Sequence, residues 1–241
     1  MLGQIKFRVK SWVQHTLRGH GAEIVHRPIL KFLNQNRINL VLDVGASVGG
    51  YGSELRRLGY KGRIVSFEPL PDAYQSLKSA ADGAQPWVAV HCALGREPGE
   101  TAMNVASNGD SSSLLQMSDR FSQVAPSVRM VNSITVNVKR LDDIYQQYCS
   151  PEDRVFLKID TQGFEKEVLE GACNSLPRIA GLQLELSLAP LYEGQSAIEE
   201  IIAYLRYRGF SPVWFIHGFH HPESTELLEV DGLFFRTNEA R

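Results

Sequence analysis

The chain has 241 residues, 43% of them hydrophobic, and a formal net charge of −2. That supplies one substantial core, leaves no long basic stripe for nucleic acid, and includes no apolar run near the roughly 18 residues a membrane-spanning helix needs. Its three cysteines, Cys92, Cys149 and Cys173, are widely spaced with no CxxC pair, which suits a reducing, cytoplasmic setting better than a disulfide or zinc framework.

At the N-terminus, residues 1–37 carry seven Lys or Arg against the single Glu23, so the positive excess is concentrated there and the rest of the chain is acidic. Leu2, Ile5, Val9, Trp12, Val13 and Leu17 recur at three- and four-residue steps, with Lys6, Lys10, Gln14 and Arg18 mainly opposite, which predicts a basic amphipathic helix. Such a helix ordinarily packs on its own domain. It also suits covering a site, or peripheral contact with an anionic membrane through residues 1–18. No uninterrupted apolar stretch follows it, so it does not read as a secretion signal. Residues 1–37 are expected to be a helical extension and 38–241 the main domain.

From about residue 39 strand and helix patterns alternate: INLVLDV, a glycine-rich turn, YGSELRRL, GRIVSFEP, DAYQSLKSAA and WVAVHCAL. The rhythm resumes with DRVFLKID, GFEKEVLEGA, GLQLELSL and SAIEEIIAYLRYRG, and ends on the strand-like FSPVWFIH and EVDGLFFR. Apolar strands without strict alternation, separated by helices, predict an α/β fold with a mostly parallel sheet covered on both faces. The link between the last two strands is too short for a packed crossover helix, so they should pair antiparallel. Between about 97 and 133 the rhythm yields to a polar stretch containing SNGDSSS. Its length marks an insertion, either over the site or as a surface excursion.

Three strand ends carry the chemistry. In Asp43-Val-Gly45-Ala46-Ser47-Val48-Gly49-Gly50, glycines let a ligand approach the backbone and the next helix N-terminus offers free N–H groups. Ser47 stands where a dinucleotide GxGxxG motif needs its second glycine, which disfavours a pyrophosphate. Asp43 instead suits an ammonium group, such as methionine's amino end. A tight turn with no ligand is the bland alternative. Glu68, in Phe67-Glu68-Pro69, ends the following strand 23 residues after Gly45. That is close to the interval at which an acid reaches the ribose hydroxyls of an adenosine. Ala93 and Leu94, after the third strand, are small and apolar enough to flank an adenine, or are ordinary strand-end packing.

Asp160 lies at the end of LKID and Glu185 near the end of LQLELSL, so the two carboxylates converge where open α/β sheets bind ligands. The pair suits deprotonating a hydroxyl acceptor, directly or through a divalent metal such as Mg. Glu165 is expected simply to begin a helix, where an acid complements the dipole. His217, His220 and His221 cluster near the last turn without the spacing of a single-helix metal site, and read as surface residues.

Taken in order, VLDVGASVGGY, SFEPLPDAY, GDSSSLL, VKRLDDI, LKIDTQGFEKEVLEGA, LELSLAPLYEG and LEVDGLFFR resemble the FkbM-type methyltransferases from about Asn39 to Arg236. The resemblance implies a Rossmann-like methyltransferase fold whose seven-stranded, mostly parallel sheet has an antiparallel last strand. It implies methyl transfer from S-adenosylmethionine to a hydroxyl of a sugar, glycan or natural product. Asp43, Gly45, Ala46 and Gly49 would then line the methionine end of the cofactor, beside Ser47. Glu68 would take the ribose with Pro69 beside it, and Ala93 and Leu94 the adenine. Asp110, Ser111 and Ser112 would be lid residues near cofactor and acceptor. An NAD-dependent oxidoreductase shares the first two strand ends, but Ser47 and the lack of a separate catalytic domain count against it. A non-catalytic module that binds the adenosyl ligand keeps the same residues.

Overall fold

The computed structural model describes residues 29–236. The amphipathic stretch at residues 2–17 lies outside them, as does most of the expected extension. The described part opens with α1 (Ile29–Gln35), β1 (Leu40–Val44), α2 (Gly50–Leu58), β2 (Arg63–Phe67), α3 (Pro71–Asp82) and β3 (Trp87–Val90). It continues through β4 (Ala93–Leu94), β5 (Gly99–Ala106), α4 (Asp119–Val124), β6 (Met130–Lys139) and α5 (Leu141–Tyr148). It closes with β7 (Val155–Ile159), α6 (Glu165–Glu170), β8 (Ile179–Ser187), α7 (Ile198–Tyr207), β9 (Phe210–His217) and β10 (Glu229–Arg236).

Seven strands form one sheet in the order β3-β2-β1-β7-β8-β10-β9. β10 runs antiparallel to both neighbours, and the pairings among β1, β2, β3, β7 and β8 are parallel. The expected sheet, including its reversed last strand, is therefore present. Every residue of β1 and β7 is buried, because helices cover both faces of the sheet. On one face Leu40, Leu42 and Leu157 pack with Leu141 of α5, Val168 of α6 and Leu205 of α7. On the other, Val41 and Phe156 pack with Leu33 of α1, Leu55 of α2 and Leu77 of α3. Each such aliphatic side chain contributes about 1.5–3 kcal/mol by leaving water. None of the helices among the described residues is long and apolar enough to cross a membrane.

One row of this second face is polar. Ser66, Asp43, Lys158 and Gln183 are successive register partners across β2, β1, β7 and β8, and all four are buried. Burial of such groups is tolerated only when they satisfy one another. Trp87 Nε1 donates to Ser66 Oγ at 3.0 Å, and Ser66 Oγ donates to Asp43 Oδ2 at 2.9 Å. Asp43 Oδ1 stands 3.3 Å from Lys158 Nζ. Tyr51 of α2 closes the row, its hydroxyl donating to Gln183 Oε1 at 3.0 Å.

The polar stretch at 97–133 is not a bare excursion. It holds β5, α4 and the start of β6, and β4, β6 and β5 make a separate three-stranded sheet. WVAVHCAL, read as one strand, divides accordingly: β3 stays in the main sheet and β4 pairs parallel with β6. The sequence of β5 and β6 hides its strands because this sheet has one wet face. Met103, Val136 and Val138 are buried beside Ala93, while most of their strand neighbours are exposed.

Candidate active site

The glycine-rich turn joins β1 to α2 at the carboxyl edge of the sheet. Gly45 has φ +73, and a Cβ there would sit 1.8 Å from the carbonyl oxygen of Asp160. Only glycine lets the ends of β1 and β7 stand back to back. Gly45 N and Ala46 N both donate to Phe67 O at 3.1 Å, tying the turn to the end of β2. Ser47 also takes a positive φ, 46°, which points its N–H at Glu68 Oε2, 2.8 Å away. Glu68 Oε1 accepts from Leu70 N, also at 2.8 Å. Burial pushes the Glu68 carboxyl above its usual range, and these two backbone bonds pull against that shift. Each oxygen keeps a further lone pair for a ligand hydroxyl.

A cavity of about 660 Å³ opens over these strand ends. One wall is Gly45, Ser47, Glu68, Pro69, Ala93 and Leu94, joined by Val48, Leu70 and Cys92. The small sheet and the loop after β5 supply a second wall with Met103, Val105, Asn108, Asp110, Ser112, Asn132 and Ile134. Asp160, Thr161 and Gln162 form its floor near β7. The insertion therefore covers the site, and Ser47 Oγ donates to Asp110 Oδ1 at 3.0 Å between the two walls.

Three of the residues expected to line the methionine end are placed elsewhere. Asp43 is fully buried in the polar row and already holds Lys158 and Ser66, so it supports the turn from beneath and offers no face to a ligand. Ala46 packs in the core beneath α2. Gly49 has φ +87, and a Cβ there would meet Leu77 and Trp87 at 3.1 and 3.2 Å; its glycine serves helix packing. Ser111 is also off the cavity wall. Its carbonyl oxygen accepts from Tyr192 OH at 3.0 Å.

Asp160 is the one carboxylate at the floor. Its Oδ2 lies 3.3 Å from Lys158 Nζ, and Lys158 also donates to Gly45 O at 3.1 Å. Burial alone would lower the Lys158 pKa, but Asp160 and Asp43 more than offset it and hold the ammonium charged. Glu185 does not reach the cavity wall. It meets Asp160 only through Gln162, whose Nε2 donates to Glu185 Oε2 at 2.8 Å and to Asp160 Oδ1 at 3.2 Å. Burial first, then the nearby Asp160, Glu229, Glu165 and Asp231, pushes Glu185 well above the usual carboxyl range. The pair does not fit a shared cation, because an amide donor already stands between the carboxylates and an ammonium takes the other Asp160 oxygen. Among the described residues no group of three or more His, Cys, Asp or Glu side chains is gathered as a metal site.

Two further carboxyls belong to this neighbourhood. Glu165 begins α6 as expected, but it is buried, and its Oε1 accepts from Thr161 N, Thr161 Oγ1 and Gly163 N at 2.8, 3.1 and 3.2 Å. Burial raises its pKa to about 7. Glu229 of β10 is raised to about 8 by burial and by Glu165, Asp160 and Asp231. Lys158, Gln162, Tyr192 and Glu229 were given no role from the sequence. Only Lys158 carried a usable signal, as a lone cation inside an apolar strand that must be buried.

A mostly parallel sheet with a reversed last strand and a cavity over the glycine turn defines a Rossmann-like architecture. Residues 43–212 match the methyltransferase FkbM domain, and the chain belongs to that family. It is 26% identical over 213 residues to "2-O-methyltransferase NoeI" of Sinorhizobium fredii, covering 84% of this chain and 85% of that protein. It is 25% identical over 147 residues to "Methyltransferase 1" of Beauveria bassiana. That match covers 55% of this chain and spans only 58% of the Beauveria protein. Among solved structures, fibrillarin of Aeropyrum pernix with natively bound S-adenosyl-L-methionine superposes with a TM-score of 0.45 at 11% identity, over 81% of this chain and 66% of that one.

Proposed function

We propose that the protein transfers a methyl group from S-adenosylmethionine to a hydroxyl oxygen of a sugar, glycan or natural product. The observation that carries this reading is the single cavity that both Glu68 and Asp160 line. The residues fit the cofactor: Gly45 brings bare backbone to the cavity wall, and Glu68 keeps two free lone pairs for a ribose diol. Ala93 and Leu94 leave room for a flat ring. S-adenosylmethionine supplies an electrophilic methyl on a sulfonium, so the chain's own task is to bind, orient and take a proton.

Asn108, Asp110 and Asn132 give the other side of the cavity hydrogen-bonding groups suited to a hydroxyl-rich acceptor. Asp160 is the carboxylate placed to take the hydroxyl proton, with Lys158 and Gln162 setting its orientation. Glu185 acts behind it, through Gln162. The 2-O-methyltransferase relative agrees with transfer to oxygen. Calorimetric titration with S-adenosylhomocysteine and, separately, with NAD tests the cofactor. Micromolar binding of the first alone is expected; binding of NAD alone would overturn the reading. Transfer of labelled methyl to a panel of hydroxylated glycans, abolished in Asp160→Asn, tests the acceptor side.

A further inference from the structure

The cavity floor, the buried carboxylate and the covering segment meet at one side chain. Gln162 sits at φ 55, a left-handed conformation that costs a non-glycine residue free energy and persists only where surrounding contacts hold it. Those contacts run two ways. Towards the sheet, its Nε2 donates to both Asp160 Oδ1 and Glu185 Oε2. Towards the insertion, its Oε1 lies 2.9 Å from Tyr192 OH, which shares its one proton with Ser111 O, and its backbone carbonyl accepts from Ser113 Oγ at 2.7 Å.

We propose that Gln162 is a positioning residue that couples the segment 107–113 to the Asp160–Glu185 pair. The side-chain amide fixes the carboxylate that lines the cavity and meets Tyr192, which reaches Ser111, while the backbone carbonyl of the same residue holds Ser113. Acceptor binding and proton removal are thereby set in one geometry. An amide suits the task because it presents donors to two acids and an acceptor to a hydroxyl at once, without adding charge. A carboxyl of the same size has at most one donor, and loses it on ionisation. The inference rests on the reading of this cavity as the acceptor site, but its test needs neither cofactor nor acceptor.

Hydrogen exchange on the full chain reads the coupling at the amides of Gly109, Ser112 and Ser113, which donate to Ala106 O, Gly109 O and Asn104 O. The strand amides of 155–159 serve as the internal control for folding. In Gln162→Met, exchange corrected for intrinsic rate should quicken about tenfold at 107–113 and stay unchanged in β7. Gln162→Glu should behave differently with pH. The introduced carboxyl would meet Asp160, Glu185 and the Tyr192 hydroxyl directly, with Glu165, Glu229 and Asp231 acting on Glu185 and the Lys158 ammonium on Asp160, so the acids outnumber the single cation. At low pH the introduced carboxyl, once protonated, should restore protection; as pH rises and it ionises, repulsion should release the segment, while the native protein stays protected throughout. Protection at 107–113 equal to the native protein's in both variants across this range would overturn the proposal. Should Gln162→Met lose protection in β7 as well, the pH profile of Gln162→Glu decides, and loss without recovery at low pH counts against it. Failure of S-adenosylhomocysteine to bind the native protein would sink the cofactor reading and leave this result standing.

Discussion

Glu68 is the residue on which the cofactor assignment turns, because both its oxygens are fixed by backbone N–H groups before any ligand arrives. Glu68→Ala should weaken S-adenosylhomocysteine by about 30-fold or more, the loss of roughly 2 kcal/mol expected for a hydrogen bond to a charged group, as calorimetry would show. Lys158 is the corresponding residue for stability. It is 6% exposed and pairs with Asp43, which is 0% exposed. Lys158→Met should cost about 3–5 kcal/mol in urea unfolding by stranding a buried carboxylate. The double variant Asp43→Asn, Lys158→Met should recover part of that loss; no recovery would mean that the lysine matters through Asp160 or Gly45 instead. At this scale the sequence located Gly45, Ser47, Glu68 and Asp160 on the cavity, since strand ends are readable from apolar runs. Asp43, Ala46 and Gly49, expected beside them, lie off the cavity wall, because the direction a side chain takes near a turn depends on which helix packs above it.

Among the elements, β8 and β10 carry the unusual charge. Glu185 lies opposite Asp231 in register, so one acid faces another across the antiparallel pair, while Glu229 lies opposite Ser187. The folded protein holds a proton on Glu229 and Glu165 at pH values where the unfolded chain has released it. Their contribution is therefore fully present below about 4.5 and is lost as pH rises towards about 7 for Glu165 and about 8 for Glu229. Glu229→Gln should remove its share of that slope, making the variant more stable than the native protein at about pH 9 and not at about pH 4. Urea midpoints across this range would check it. The connection from β1 to α2 is equally specific: Gly49→Ala combines a positive φ with crowding against Trp87 and should cost about 1–3 kcal/mol, read as a lower unfolding midpoint. The parallel strands were legible as long apolar runs bounded by turns. β5 and β6 were not, because a two-sided sheet with one wet face and few apolar positions reads as a polar loop.

For the whole molecule, binding is linked to folding. A ligand that occupies the cavity of the folded chain alone should raise stability by about 2.7 kcal/mol at a hundred times its Kd, or about 5–10 °C in melting temperature for a chain of this size. S-adenosylhomocysteine should produce that shift and NAD none. The opposite result would return the protein to the oxidoreductase reading. By itself the sequence determined the layered α/β architecture, the reversed last strand, the family and several of the strand ends that line the cavity, because hydrophobic period, turn residues and spacing are local and each constrains the chain within a few residues. Only the tertiary structure decided that the 97–133 stretch becomes the cavity's second wall, that Asp43 is spent on Lys158, and that Gln162 stands between Asp160 and Glu185. Those outcomes depend on register between distant strands and on which buried polar groups find partners, and no local pattern encodes either.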